Sequence, residues 1–133
     1  MTKQRKALMK PNGRSEYVEA RRIIRNAAAL VRRGWIQGDI AADADWCTCD
    51  PEDQAAVRWC AVGAMYAAND TRPYVSTARL ELLLEAHIGD AGKWNDAEGR
   101  TADEVAAVMA AVADASNGWD IWRGLDRKRL PCP

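Results

Sequence analysis

The sequence has no phenylalanine, a single histidine and no net charge, with 19 Lys/Arg and 19 Asp/Glu over 133 residues. It also has no apolar run of 18 residues, which argues against a membrane-spanning helix, and its first residues lack the apolar core of a signal peptide. Hydrophobic residues make up 48% and charged residues 29%, so a disordered polar chain and a collagen-like repeat are both excluded. We therefore expect a soluble, cytoplasmic domain with no membrane partner.

The neutral total conceals a strong separation of charge along the chain. Residues 1–33 hold ten Lys/Arg against two acids, residues 34–118 hold fifteen acids against five bases, and residues 119–133 carry a small basic excess. This pattern is typical of a nucleic-acid-binding arm. It is equally typical of a basic element that docks on an acidic body. The sequence leaves both interpretations open.

Apolar residues recur at helical spacing in four segments, each with a helix-start signal. The expected start residues are Ser15, Asp50-Pro51, Ser76 and Thr101, the last forming a capping box with Glu104. The predicted helices cover 15–33, 50–68, 76–88 and 101–115. No stretch alternates apolar and polar residues for long enough to predict a sheet. The predicted fold class is all-α, a compact bundle of four main helices with two long anchored loops, 35–49 and 89–100.

The predicted helical domain spans residues 15–118, between two basic segments. Residues 1–14 contain a Pro-Asn-Gly turn signal and are predicted to form a flexible basic arm. Residues 119–133 are predicted to be a basic C-terminal tail that contains two Trp.

Two further expectations concern packing. After Arg58 the predicted second helix is apolar on all sides, which is typical of a buried central helix, and Gly63 predicts a close helix crossing there. The loop 35–49 is expected to be held to the core by apolar side chains, among them Trp46.

The four cysteines and the histidine are the side chains best suited to metal binding or nucleophilic catalysis. Cys47 and Cys49 are closer together than a usual zinc-binding pair, and Cys60 lies midway along a predicted helix rather than at its N-terminus. His87 shares a face with leucines and is expected to be a core or capping residue. We predict no metal, no cofactor and no catalytic residue, with Cys132 a reduced thiol.

The predicted first helix carries the best candidate surface for binding a partner or nucleic acid. Guanidinium groups suit phosphate, and such binding weakens steeply with salt. Against this, the sequence contains no helix-turn-helix, and the acidic body would repel phosphate. The candidate residues are Arg21, Arg22, Arg25, Arg32 and Arg33.

Two motifs carry a family resemblance. They are Trp59-Cys60-x-x-Gly63-Ala64 and Trp94-Asn95-Asp96-x-x-x-Arg100-Thr101-x-x-Glu104-Val105. Over residues 17–115 the chain resembles a family of small uncharacterised proteins from bacteria, especially actinobacteria, and their phages. Its members contain a domain of unknown function, so the resemblance implies no activity, but it does imply a phage or mobile-element setting.

The second motif has two interpretations. As a scaffold, Trp94 anchors the loop, Asn95 and Asp96 bind its backbone, and Arg100 pairs with Asp96. As a site, the same four residues form a polar cluster on a Trp-lined ligand loop.

Three functions follow from these observations. The first is a small non-enzymatic protein that binds a macromolecular partner, most readily a protein. The phage setting that the resemblance implies makes this partner a host factor, including one of antiviral defence, that the protein modulates or inhibits. The second is a nucleic-acid-binding regulator that uses the basic arm and first helix. The third is a Cys/His enzyme or metal protein. The oligomeric state stays open, and a homodimer is one possibility.

Overall fold

The computed structural model describes residues 13–129, with side chains as far as Leu125. The described residues are mostly helical, as predicted, but they form six helices and a two-stranded sheet rather than four main helices. Most of the predicted arm lies outside the described residues. In chain order the elements are α1 (Arg14–Arg33), β1 (Ala41–Ala42), β2 (Arg58–Trp59), α2 (Ala61–Ala68), α3 (Thr77–Ile88), α4 (Ala91–Asn95), α5 (Ala102–Asp114) and α6 (Gly118–Arg129).

The long helix α1 forms one wall of the core. It begins one residue before the predicted Ser15 cap, with Gly13 at the N-cap position. Its predicted apolar arc is buried against α5 and α2. Burial of a residue such as Ile23 or Ile24 contributes about 1.5–3 kcal/mol relative to an exposed position. Because the apolar face packs against the core, the arginines of α1 lie on the opposite, outward side of the helix.

The prediction of a helix over residues 50–68 is wrong in its first half, because α2 begins only at Ala61. Asp50 and Asp53 cap turns instead, each accepting a backbone N–H two residues ahead at 2.8 Å. Asp-Pro and acidic residues favour such turns as well as helix starts. Arg58 and Trp59 pair with β1, and this strand pairing favours the turns over a helix start.

The small sheet was not predicted. In it, β1 and β2 run antiparallel with Ala41 opposite Trp59. Two glycines let this sheet approach the helices. A Cβ on Gly34 would lie 1.9 Å from the Val57 carbonyl oxygen, and one on Gly63 would lie 2.0 Å from that of Ile40. The close approach predicted at Gly63 is therefore present, but the neighbour is the strand entering the sheet, not a second helix.

The third and fourth predicted helices are confirmed within one residue at each end, as α3 and α5. The Ser76 side chain accepts the Arg79 N–H, and Thr101 and Glu104 form the predicted capping box. Local capping residues are thus sufficient to locate these two helices. The loop predicted between them contains the short helix α4.

The C-terminal segment, for which no helix was predicted, is helical as α6 and packs against α3. Trp122 is fully buried, and the partly buried Trp119 packs against Tyr17 with ring centroids 5.8 Å apart. The segment predicted to be a tail therefore contributes Trp122 and Leu125 to the core.

Candidate functional site

Two arginines of α1 hold the C-terminal end of α5. Arg21 Nε donates to the Ala113 carbonyl at 2.7 Å, and Arg25 forms an ion pair with Asp114 at 2.7 Å. The hydrogen bond from Arg25 lowers the pKa of Asp114 below its ordinary value, and the charge of Arg21 acts in the same direction. This part of the basic face is docked on an acidic residue of the body.

The remaining arginines of the predicted surface differ in their surroundings. Arg22 pairs with Glu19 at 2.8 Å and with Asp70 at 2.7 Å. Arg32 and Arg33 are exposed at the end of α1. Only the last two present guanidinium groups to solvent without an ion pair to another described side chain.

Asn95 of the second motif is buried at the centre of a hydrogen-bond network. Its side-chain oxygen accepts the Trp35 indole N–H at 2.8 Å and the Ala61 backbone N–H at 3.0 Å. Its side-chain nitrogen donates to the Ile36 carbonyl at 3.1 Å and to Asp96 at 2.9 Å. Asn95 thus ties α4 to the first loop and to the start of α2, which favours the scaffold interpretation.

Asp96 and Arg100 of that loop also form contacts with other residues of the chain. Asp96 accepts the Gly38 backbone N–H at 2.9 Å, whereas Arg100 stacks over the Trp94 ring at 4.1 Å and donates to the Trp94 carbonyl at 2.9 Å. The expected Arg100–Asp96 pair is therefore not formed, and the nearest carboxylate to Arg100 is that of Glu104 at 3.9 Å.

The predicted Cys/His residues lie in separate places. Cys60 is the N-cap of α2 rather than a mid-helix residue, and its Sγ accepts the Gly63 N–H at 3.3 Å. Of the two positions expected for His87, core or capping, the core one is wrong because the residue is exposed; it lies in the last turn of α3, with its Nδ1 3.1 Å from the Leu83 carbonyl. Among the described residues no three His, Cys, Asp or Glu side chains are grouped to hold a metal, and Cys132 lies outside them.

A buried charged cluster joins three helices and has no counterpart in the sequence predictions. Arg79 donates to Glu16 at 2.5 Å and to the Trp122 carbonyl at 2.6 Å, and the Trp122 indole N–H donates to Glu16 at 2.9 Å. The Arg79 guanidinium also lies 3.9 Å from the centre of the Trp122 ring. These contacts fasten α6 to α1 and α3.

A hairpin over residues 41–49 carries the most exposed tryptophan among the described residues. At its tip Asp43 and Cys47 pair through their backbones at 3.0 Å, and the Trp46 N–H donates to the Asp43 carbonyl at 3.0 Å. The Asp43 carboxylate accepts the N–H groups of Asp45 and Cys47 at 2.9 Å. The tip is therefore held by a side chain as well as by strand pairing.

Trp46 adopts a backbone conformation that bulky residues seldom take. Its φ is +66°, in the left-handed region that favours glycine, and its side chain is 61% exposed. The Arg58 guanidinium lies 3.5 Å from the ring centre and donates to the Asp43 carbonyl at 2.7 Å. The ring therefore packs on Arg58 at the surface rather than in the core, so the expectation that Trp46 anchors the loop to the core is wrong.

Residues 46–49 form the outer strand of this hairpin, and four aspartates act on its Cys49 thiol. Partial burial raises the pKa of the Cys49 thiol, and nearby carboxylates raise it further. The contributing carboxylates are those of Asp53, Asp43, Asp39 and Asp50. Thr48 Oγ1 donates to Asp39 at 2.5 Å. The hairpin therefore presents an aromatic ring beside a strongly negative edge.

Sequence reasoning missed Trp46 because apolar residues in a loop are most simply interpreted as anchors. The available signal was its position as the fourth residue of Asp43-Ala-Asp-Trp46, between turn-forming acids. Acids of this kind favour a tight turn, and turns lie at the protein surface.

Comparison with known proteins supports the resemblance derived from the motifs. No helix within residues 13–129 is long and apolar enough to cross a membrane. No curated protein and no solved structure matches the chain. A family model described as "Family of unknown function (DUF6197)" matches residues 16–115, close to the predicted span of 17–115. The chain therefore belongs to this family of unknown function.

Proposed function

We propose that the protein is a small non-enzymatic domain that binds a protein partner, and that Trp46 is the centre of the contact. The observation that carries this proposal is the exposure of a tryptophan that stacks on Arg58 at the hairpin tip. Tryptophan is among the residues that most often dominate binding energy at interfaces. Stacking on Arg58 restricts part of the ring's rotational freedom before a partner covers it, which reduces the entropy lost on binding.

The backbone of Trp46 supports a functional role for this side chain. A non-glycine residue in the left-handed region costs about 1–2 kcal/mol relative to the usual conformations. Glycine would remove that cost at the same position. A tryptophan retained there, with most of its ring in water, adds little to the stability of the domain, which favours binding as its purpose.

In the phage or mobile-element setting that the resemblance implies, the partner is a host factor. Binding then modulates or inhibits that factor, including a component of antiviral defence. The support for this narrower statement is the resemblance alone, and it rests on no described residue.

The test compares wild type with Trp46→Gly and with Val18→Ala, which changes a 58% exposed apolar residue on α1. Each tagged full-length protein is crosslinked in host lysate and its captured partners are quantified. We expect a stoichiometric partner with wild type and Val18→Ala and a loss of at least about tenfold with Trp46→Gly. The stability of Trp46→Gly should stay within about 1 kcal/mol of wild type, because relief of the backbone cost offsets the lost contact with Arg58.

Equal capture by Trp46→Gly would overturn the role of Trp46, and repeated failure of wild type to capture any partner would overturn partner binding itself.

The second candidate, nucleic-acid binding, is favoured by the exposed Arg32 and Arg33. Its test is a mobility shift with labelled DNA and RNA at low salt, where the absence of a shift removes it.

A further inference from the structure

We propose that the outer strand of the hairpin, residues 46–49, is a docking edge for an extended, basic segment of a protein partner. This inference rests on the proposed function and specifies how the partner is recognised. The partner strand pairs with the backbone of Thr48, places its cationic side chains among the four aspartates, and rests an apolar side chain on Trp46.

The hydrogen-bond pattern of the hairpin leaves one side of the outer strand open. Cys49 N–H donates to the Ala41 carbonyl at 3.2 Å and Asp43 N–H donates to the Cys47 carbonyl at 3.0 Å. These two bonds flank the Ala42–Thr48 pair. In an antiparallel ladder, a pair flanked in this way directs its own N–H and C=O groups away from the partner strand. The backbone N–H and C=O of Thr48 therefore face outward on an exposed residue.

An outward-facing edge of this kind is a template for an added strand. Extended peptides bind to such edges through main-chain hydrogen bonds, while neighbouring side chains supply the selectivity. The edge is short, so the main-chain hydrogen bonds at Thr48 bind a partner strongly only when the surrounding side chains also contribute. Trp46 lies two residues before Thr48, at the end of the turn, and supplies apolar area.

The charge around the edge selects a cationic occupant. Asp39 accepts the Thr48 hydroxyl and Asp43 accepts the Cys47 N–H, so two carboxylates contact this segment, and the charges of Asp50 and Asp53 also act on the Cys49 thiol. The cation nearest the tip, Arg58, is engaged by Trp46 and by the Asp43 carbonyl. Nucleic acid is repelled by this arrangement, whereas lysine and arginine side chains are attracted.

The experiment is a titration of the isotopically labelled full-length protein, followed by the backbone N–H signal of Thr48 and the indole signal of Trp46. The probe is a capped eight-residue peptide of alternating Lys and Val, and the control peptide alternates Glu and Val. We expect both signals to move with the Lys peptide at low salt, to return as salt is raised, and to stay unchanged with the Glu peptide.

Two variants distinguish the contribution of the Thr48 backbone N–H to binding from that of the Thr48 hydroxyl. Thr48→Pro removes an N–H that faces outward, and proline is tolerated at such edge positions. Thr48→Val keeps the N–H and removes the same hydroxyl. We expect the Kd for the Lys peptide to rise about tenfold in Thr48→Pro relative to Thr48→Val.

A further variant tests the charge. Asp50→Asn with Asp53→Asn keeps the oxygen atoms that cap the two turns and removes two charges. It should raise the Kd about fivefold and weaken the salt dependence.

Three results would overturn the inference: no movement of the Thr48 signal at millimolar Lys peptide, equal movement with the Glu peptide or with DNA, or a Thr48 N–H already protected from exchange in the free protein. The last result means that another part of the chain or a second copy covers the edge. If the captured partner is lost in Trp46→Gly but kept in Thr48→Pro, the proposed function stands and the docking edge fails.

Discussion

Asn95 binds three stretches of the chain with one amide group, because its oxygen accepts two hydrogen bonds and its nitrogen donates two. It is 1% exposed, so water cannot replace a lost partner. The indole N–H of Trp35 and the backbone N–H of Ala61 both depend on it. A small polar residue thus fixes the first loop against α2 and α4.

We expect Asn95→Ala to lower the free energy of unfolding by about 2–4 kcal/mol, since it leaves buried donors and acceptors without partners. Asn26→Ala, on the exposed face of α1, is the matched control and should change stability by less than about 0.5 kcal/mol. Urea unfolding followed by circular dichroism measures both. A loss in Asn95→Ala no larger than in the control would contradict the network.

The sequence alone identifies Asn95 and Asp96 as residues that bind loop backbone, because asparagine and aspartate do so in many turns. It does not identify their partners, which lie about 35 to 60 residues away in the chain. The same limit applies to Trp46. Its exposure depends on the hairpin register and on Arg58, and neither follows from composition or periodicity.

At the scale of elements, two glycines on helices differ in the space around them. Gly63 in α2 faces the Ile40 carbonyl, whereas Gly124 in α6 has nothing within 4 Å of an added Cβ. Glycine is required at position 63 because the backbone of Ile40 comes close to it. At position 124 glycine only lowers the helix propensity.

Gly63→Ala is therefore expected to destabilise the protein by at least about 1–3 kcal/mol, because backbone atoms must shift to admit the methyl group. Gly124→Ala should stabilise it by about 0.4–1 kcal/mol. Thermal unfolding of the two single variants beside wild type distinguishes these opposite signs. A stabilising Gly63→Ala would show that the contact between α2 and the strand leading into β1 is looser than described.

The helices that sequence reasoning located well are those whose ends are set by local caps. In α3 and α5 the caps at Ser76 and Thr101 act within one turn, so neighbouring residues suffice. The first half of the predicted second helix failed because strand pairing with β1 overrode a start signal that also suits a turn. Helix α6 was missed because its place depends on burying Trp122 against α1 and α3 rather than on caps.

At the scale of the whole molecule, the separated charges meet again in space. Arg21 and Arg25 of the basic segment 1–33 bind Asp114 at the end of α5, and Arg22 binds Asp70. The pattern of a basic element docked on an acidic body is thus realised along α1. Among the described residues, the acids around the hairpin have no ion pair with the arginines of α1.

The pairing of α1 with α5 predicts a pH-dependent contribution from Asp114, whose folded-state pKa is lowered. Such a group stabilises the fold above its unfolded pKa and loses this contribution as the pH falls through its folded pKa. We expect Asp114→Asn to be less stable than wild type at neutral pH, with the difference closing on acidification and in high salt. Urea midpoints across pH measure it, and Glu98→Gln, an exposed position, is the control. A difference independent of pH would exclude the ion pair as its source.

The cluster of Glu16, Arg79 and Trp122 has a consequence for how the protein opens. Glu16 and Trp122 are separated by 106 positions, and the contact joins the start of α1 to α6. Local loosening of α6 would remove a hydrogen bond from Glu16 and another from Arg79, and a buried charged group that loses a hydrogen bond costs free energy. We therefore expect α6 to open together with α1 and α3 as one cooperative unit. Residues beyond the family match at 16–115 would then contribute to the local stability of the residues inside it.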